Sequence, residues 1–392
     1  MRKIISMSIL FLLLGSVLSA CSNGQPTSSA PAVTEAANSP SSEAYPLPNS
    51  NNPNPPTPNE VYPAPLETSA SYPAPLETIP AYPAPENNGQ EYPGVTPENG
   101  AVIGTPLRMV LIPIIDNLPM YVAQQEGLFA KYGVQVEFIP VASAAERDQV
   151  ISAGQGDGII NDIVSTLLYN KDTPQVQIVR LARVATPESA VYHILASGKS
   201  GITSVGQLKG VPIGISQATI IEYITDRLLG AEGFTPTDIK TIAVPKIPDR
   251  LALLSSGELK AATIPDPLSY LAVQQGASFI LQDSKYPQYG HSTYAFRKQV
   301  IDENPAAIQA FLAAIEDAVN DINADPSRWG ELLKDQKIIP DSLLATYQVP
   351  PFPTKSVPSE QLWADVLAWA KEKGLISGDI SYNSSVINQF LP

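Results

Sequence analysis

The sequence divides near residue 104, because the stretch before that point cannot build a hydrophobic core. Residues 22–104 contain no Lys or Arg and are rich in Pro, Ser, Asn, Thr and Ala. Tyr-Pro pairs recur every ten residues, at Tyr62, Tyr72, Tyr82 and Tyr92. Proline fixes φ and removes a backbone donor, so closely spaced prolines exclude both helix and sheet. The pattern predicts a disordered, Pro-rich tether over residues 21–104, with globular structure beginning at residue 105.

Residues 1–20 have the order of an export signal. Arg2 and Lys3 precede an apolar run from Ile9 to Leu18, which small residues follow. The run is too short for a typical membrane span. The tetrapeptide Leu18-Ser19-Ala20-Cys21 resembles a bacterial lipobox, which implies that Cys21 carries lipid and becomes the mature N-terminus. We therefore expect a lipid-anchored protein on the extracytoplasmic face of the cell membrane.

The cysteine count and the net charge limit how this chain can be stabilised and what it can bind. Cys21 is the only cysteine, so no intrachain disulfide can stabilise the fold. The chain carries a net charge of −14, of which eight glutamates in residues 22–104 supply −8. An acidic chain without a basic cluster argues against nucleic acid and against charge-driven membrane binding. We expect membrane contact through the lipid anchor alone; the alternative is an ordinary secreted protein with a free thiol.

Strand and helix patterns alternate from residue 105 onward, and the order repeats after about residue 205. This alternation predicts an α/β class with largely parallel sheets covered on both faces. A body of about 288 residues is large for one core, so two similar lobes are expected. We place lobe 1 at about 105–195 plus 285–392 and lobe 2 at about 196–284. Two late helices, opening at Asn304-Pro305 and at Ser359, return to lobe 1.

Several segments, in order, resemble a known family. They are YVAQQEGLFAKYGV at 121–134, ISAGQGDG at 151–158, LKGVPIGIS at 208–216 and LSSGELKAA at 254–262. Over residues 105–392 they are similar to the nitrate/sulfonate/taurine type of solute-binding proteins of ABC importers, which includes pyrimidine-precursor binders. The resemblance implies a two-lobed class II periplasmic-binding-protein fold that closes on a small molecule. It also implies a permease and an ATPase as partners, a monomer, and no cofactor or metal.

The candidate site follows from the topology. In open α/β sheets a ligand binds in the crevice beyond the carboxyl ends of the strands. Four strand-to-helix turns qualify, at 115–119, 161–162, 216–219 and 265–267. Each offers helix N-terminal amides or short polar side chains, which favour anions. We expect ligand contacts from Asp116, Asn117, Tyr121, Asn161, Asp162, Ser216, Gln217, Thr219, Glu222 and Asp266.

The charges of these turns predict the kind of ligand. The turns contain no Lys or Arg, and three aspartates would each repel a small anion by about 1 kcal/mol or more. We therefore expect a neutral or cationic nitrogen compound such as a pyrimidine. Two alternatives stay open, namely a sensing or adhesion module of a signalling system and a binder of sulfonate- or nitrate-type anions. Asp162 and Asp266 are equally well placed to cap helices.

An enzyme is not expected. The one cysteine is assigned to the lipid, and His193 and His291 lie far apart in sequence. Neither a zinc-protease H-E-x-x-H motif nor a G-x-S-x-G nucleophile elbow occurs.

Overall fold

The computed structural model describes residues 103–392; the predicted export signal, Cys21 and the predicted tether lie outside this range. Ten strands in residues 103–392 form two five-stranded sheets. No helix in the same range combines the length and apolar character needed to cross a bilayer. The strands are β1 Leu107–Leu111, β2 Val136–Pro140, β3 Gly158–Asn161, β4 Val176–Val184, β5 Tyr192–Ala196, β6 Pro212–Ile215, β7 Lys240–Ala243, β8 Ala261–Pro265, β9 Ser278–Gln282 and β10 His291–Arg297.

The two sheets have equivalent strand orders. The first runs β2-β1-β3-β10-β4 and the second β7-β6-β8-β5-β9. β1 pairs in parallel with β2 and β3, and β6 pairs in parallel with β7 and β8. In the fourth position of each sheet, β10 and β5 run antiparallel to both neighbours. Four of five strands in each sheet therefore point the same way, and the expected two-lobed α/β class is confirmed.

The antiparallel strand of each sheet is the one that follows a crossing between the lobes. The chain leaves the first sheet after β4, passes through residues 185–191 and enters the second sheet as β5. It returns through residues 283–290 and enters the first sheet as β10. Lobe 1 thus holds 103–184 and 291–392, and lobe 2 holds 192–282. β5, expected in lobe 1, lies in lobe 2 because its pairing partners are β8 and β9.

Helices cover the sheets, and their ends follow local sequence signals. Ser143, Asp162, Thr219 and Ser359 each accept a hydrogen bond from a backbone amide in the first turn of the following helix. The helices are α1 Leu118–Gln125, α2 Leu128–Lys131, α3 Ala144–Ser152, α4 Ile163–Tyr169, α5 Ile220–Ala231, α6 Ile247–Ser256, α7 Leu268–Gln274, α8 Lys298–Glu303, α9 Pro305–Ala324, α10 Gly330–Asp335, α11 Asp341–Leu344, α12 Glu360–Glu372 and α13 Tyr382–Ser385.

The late helix α12 both fills the core and joins the lobes. Trp363 and Trp369 of this helix are buried. The indole of Trp369 donates to Asp226 of α5 at 2.9 Å. Asp365 of α12 accepts from Tyr223 at 2.7 Å, and Lys373, just after the helix, lies 2.6 Å from Glu222. A line of polar contacts therefore ties α12 of lobe 1 to α5 of lobe 2.

The two crossings are joined at Asp283, which is fully buried. Its Oδ1 accepts the Val191 amide at 2.9 Å and its Oδ2 accepts the Tyr192 amide at 3.2 Å. Gly290 is required beside it, because a Cβ there would approach Oδ2 to 2.0 Å. Burial raises the pKa of Asp283 to about 7, although the two amide donors act in the opposite direction. The carboxyl group thus titrates near neutrality at the point where the chain passes between the lobes.

The raised pKa of Asp283 predicts a pH-dependent stability. The folded state binds this proton more tightly than the unfolded chain, whose pKa is near 3.8. The free energy of unfolding should therefore decrease as pH rises from about 4 to 7, by at most about 4 kcal/mol from this group. Asp283→Asn removes the titration and should make the decrease shallower, as measured by urea unfolding at a series of pH values. The exposed control Asp302→Asn should keep the original slope, and an equally steep slope in Asp283→Asn would contradict the prediction.

Candidate ligand-binding site between the lobes

A cavity of about 40 Å³ lies between the lobes, beyond the carboxyl ends of β1, β3, β6 and β8. Since a single water needs roughly 10–15 Å³ by this kind of measure, the cavity has room for a group of a few heavy atoms. Its polar lining from lobe 1 consists of Arg147, Asn161, Asp162 and Ser292. Its polar lining from lobe 2 consists of Tyr192, Ser216, Thr219 and Arg250.

Four of the predicted ligand residues line this cavity. Asn161 is the last residue of β3 and Asp162 follows it, while Ser216 and Thr219 follow β6. Asp162 caps α4 by accepting the Ser165 amide at 2.9 Å. Thr219 caps α5 by accepting the Ile221 amide at 3.2 Å, while its hydroxyl donates to the Ser216 carbonyl at 2.7 Å. The N-terminal ends of both helices therefore face the space between the lobes.

Asp116 and Asp266 do not line the cavity, because a buried arginine holds them together. Arg183, at the end of β4, is fully buried, and its Nη1 lies 2.7 Å from Asp266 Oδ2 and 3.6 Å from Asp116 Oδ1. The Tyr347 hydroxyl donates to Asp266 Oδ1 at 2.7 Å, and the Ser292 hydroxyl donates to Asp116. Burial raises the pKa of both carboxyl groups, while Arg183 opposes this shift. These aspartates already have partners within the protein.

The four remaining predicted residues also lie elsewhere. Asn117 donates to the Ile112 carbonyl at 2.6 Å, and Tyr121 packs its edge on Phe138 in the core. Glu222 pairs with Lys373 and accepts the Ala218 amide at 2.7 Å. Gln217 is exposed. The structure therefore does not bring these four side chains into the cavity.

Two buried arginines of the cavity were not predicted. Arg147 of α3 donates to the Ile160 carbonyl at 2.9 Å, to Ser165 Oγ at 2.6 Å and to Asp148 at 2.8 Å, and its Nη1 lies 3.7 Å from Asp162 Oδ2. All three of its nitrogens are therefore used. The sequence signal for Arg147 is weak, because it lies in a helix with many charged residues.

Arg250 of α6 differs from Arg147, since only part of its guanidinium is used. The side chain is fully buried, and Nη1 donates to the carbonyls of Val244 at 2.8 Å and Pro245 at 3.0 Å. Its Nε and Nη2 have no hydrogen-bond partner within residues 103–392, and no carboxylate in that range lies within salt-bridge distance of it. Burial lowers the pKa of Arg250, but guanidinium groups stay charged at neutral pH. The cavity lining therefore includes a positively charged side chain with two nitrogens that no group in the described part of the chain uses.

These arginines change the expected charge of the site. The preference for a neutral or cationic ligand assumed that three aspartates face the crevice without cations. In the structure Arg183 lies between Asp116 and Asp266, and Arg147 lies close to Asp162. The carboxylates are thus compensated by cations that come from other elements, and Arg250 adds a charge without a counter-charge. The turns alone hold only part of the charge around the cavity, and a pyrimidine ligand is not confirmed.

Structural comparison shows which fold this chain shares with known proteins. The alkanesulfonate-binding protein SsuA from Xanthomonas axonopodis pv. citri, bound to MOPS, aligns with a TM-score of 0.63 at 16% identity, over 73% of this chain and 99% of that one. The periplasmic nitrate-binding protein NrtA from Synechocystis aligns with a TM-score of 0.59 at 15% identity, over 74% of this chain and 88% of that one. The desulfurization enzyme DSZB aligns with a TM-score of 0.55 at 12% identity, over 72% of this chain and 97% of that one. At these identities the likeness shows a shared fold, the periplasmic-binding fold.

Sequence comparison gives the family. A family model described as NMT1/THI5 like matches residues 115–328, more than half of the chain. This chain belongs to the NMT1/THI5-like family, and the predicted resemblance to this group of binding proteins is confirmed. A putative thiamine biosynthesis protein of Haemophilus influenzae is 24% identical over 217 residues, which cover 54% of this chain and 67% of that protein. The bicarbonate-binding protein CmpA of Synechococcus elongatus is 23% identical, and the alignment covers 61% of this chain but only 59% of CmpA.

The buried network around Arg183 predicts a strong dependence of stability on this residue. Arg183→Met leaves the carboxyl groups of Asp116 and Asp266 buried without a cation, which typically costs about 3–5 kcal/mol. Urea unfolding at neutral pH measures this loss. The control Arg328→Met removes an exposed pair with Glu126 and should cost about 1 kcal/mol or less. A loss for Arg183→Met as small as that of the control would contradict the prediction.

Proposed function

We propose that this chain is the extracytoplasmic solute-binding component of an ABC importer and captures a small oxyanion between its two lobes. The observation that carries the proposal is Arg250, a fully buried residue of the cavity lining whose guanidinium has two nitrogens without a partner among residues 103–392. Burial of an uncompensated charge is costly, and a bound anion offsets that cost. The nitrate- and sulfonate-type alternative from the sequence therefore replaces the pyrimidine as the favoured ligand class.

The surrounding groups support an anion for a second reason. Ser216, Thr219, Ile220 and Ile221 line the cavity at the N-terminal end of the twelve-residue helix α5. Helix N-termini carry free amides and a partial positive charge, which favour a bound anion. The carboxyl group of Asp162 is the one acidic side chain of the cavity lining, and Arg147 lies beside it. The balance of charge around the cavity is therefore favourable to an anion.

The relatives are consistent with this ligand class. CmpA is named as a bicarbonate-binding protein, NrtA of Nostoc as a nitrate/nitrite binding protein, and SsuA as an alkanesulfonate-binding protein. Each name describes an oxyanion binder. By this analogy the partners of this chain are a membrane permease and an ATPase, and the protein works as a monomeric, non-enzymatic receptor.

Calorimetric titration tests the role of Arg250. The purified full chain is titrated with nitrate, acetate, hydrogen carbonate and methanesulfonate. Arg250→Gln should weaken the binding of each anion that binds by about tenfold or more, because a charge-assisted hydrogen bond is lost. The control Arg328→Gln, at an exposed position, should leave the affinities unchanged. Unchanged affinity in Arg250→Gln, or binding of a pyrimidine but of none of the anions, would refute the proposal.

We further propose that lipid on Cys21 holds the protein at the membrane, with residues 22–104 as the tether. Cys21→Ser removes the attachment atom and should move the protein from the membrane fraction to the soluble extracytoplasmic fraction, because several acyl chains are needed for stable anchoring. Metabolic labelling with a radioactive fatty acid should mark the unchanged chain and not the variant. Membrane association that persists in Cys21→Ser would exclude this form of anchoring.

A further inference from the structure

Asn161 lines the cavity and carries a hydrogen-bond acceptor that nothing in the described part of the chain uses. The side chain is 2% exposed and lines the cavity from lobe 1. Its Nδ2 donates to Thr166 Oγ1 at 3.0 Å, while its Oδ1 has no partner among residues 103–392. A buried acceptor without a donor is unfavourable, so its place on a ligand cavity points to a donor on the ligand.

The orientation of the Asn161 amide is fixed by its neighbour. An amide oxygen and nitrogen are assigned from the hydrogen bonds around them. The Thr166 hydroxyl gives its proton to the Asp162 carbonyl at 2.9 Å, so its oxygen is left to accept. Only the NH₂ group of Asn161 can supply the donor that this oxygen accepts. The carbonyl oxygen of Asn161 is therefore the atom without a partner.

The two lobes thus offer different hydrogen-bonding groups to one ligand, donors from lobe 2 and an acceptor from lobe 1. Lobe 2 offers the free donors of Arg250, which require acceptor oxygens. Lobe 1 offers the free acceptor of Asn161, and next to it Asp162, which also accepts hydrogen bonds. An anion with acceptor atoms alone satisfies Arg250 but leaves Asn161 unpaired and places oxygens near a carboxylate. A ligand with both kinds of group satisfies both lobes.

We infer that the solute is a small oxyanion that carries its own O–H or N–H group, with its oxygens on Arg250 of lobe 2 and its donor on Asn161 of lobe 1. This inference rests on the proposed function and narrows its ligand class. The cavity of about 40 Å³ fits the contact groups of such a molecule. Because each end of the ligand contacts a different lobe, a ligand that lacks the donor stabilises lobe closure less.

Two pairs of oxyanion-bearing compounds of matched size test this requirement on the full chain by calorimetry at pH 8 in a sealed cell. Hydrogen carbonate and acetate differ by O–H against CH₃, and zwitterionic glycine and propionate differ by an ammonium group against CH₃. In at least one pair the donor-bearing compound should bind about tenfold or more tightly than its methyl counterpart, since a buried acceptor is otherwise left unpaired. The pair that shows the preference tells an O–H ligand from an N–H ligand.

Asn161→Leu removes the acceptor at similar volume and should abolish the preference while the methyl counterpart still binds. Asn383→Leu, at an exposed position of α13, should keep the preference.

Equal or tighter binding of both methyl counterparts to the unchanged chain would overturn this inference and leave the proposed function standing. This comparison needs no variant. Binding of none of the four compounds would overturn the inference, and would overturn the proposed function as well if nitrate and methanesulfonate also fail to bind.

Discussion

The ion pair between Arg183 and Asp266 joins the two lobes beside the first crossing of the chain. Arg183 is the second-last residue of β4 in lobe 1, and Asp266 follows β8 of lobe 2. The same guanidinium lies near Asp116 and donates to the Ala190 carbonyl at 3.0 Å, so it links both sheets and the crossing segment. A fully buried cation cannot give up these partners cheaply, and it thereby fixes how the sheet ends that form the cavity face each other.

The elements of the fold were predictable because their signals are local. Proline at the second position of α1 and the mostly apolar sequence of β4 are strong local signals, and both elements form where these signals lie. The lobe assignment of β5 was not predictable in this way, because a strand pattern does not state which sheet the strand joins. Pairing with β8 and β9 decides it, and that contact spans some 65 residues or more of sequence.

Half of the polar residues that line the cavity were predictable from the sequence. Asn161, Asp162, Ser216 and Thr219 line the cavity because strand ends in an α/β sheet share one edge, which topology alone gives. The buried arginines of β4 could be inferred in another way, from the cost of placing a charge in an apolar strand. Arg180 and Arg183 interrupt the apolar strand β4, and a charge in a buried strand requires a carboxylate. That signal was present in the sequence, whereas Arg250 looks like an ordinary residue of α6, and the local pattern does not mark it as buried.

The contacts between α12 and α5 also bear on how the two lobes are held together. Trp369, Asp365 and Lys373 hold lobe 2 through side chains that take no part in lining the cavity. Part of the attachment between the lobes is therefore independent of what occupies the cavity. Loosening of these helices would separate the two sets of sheet ends without any competitor for the cavity itself.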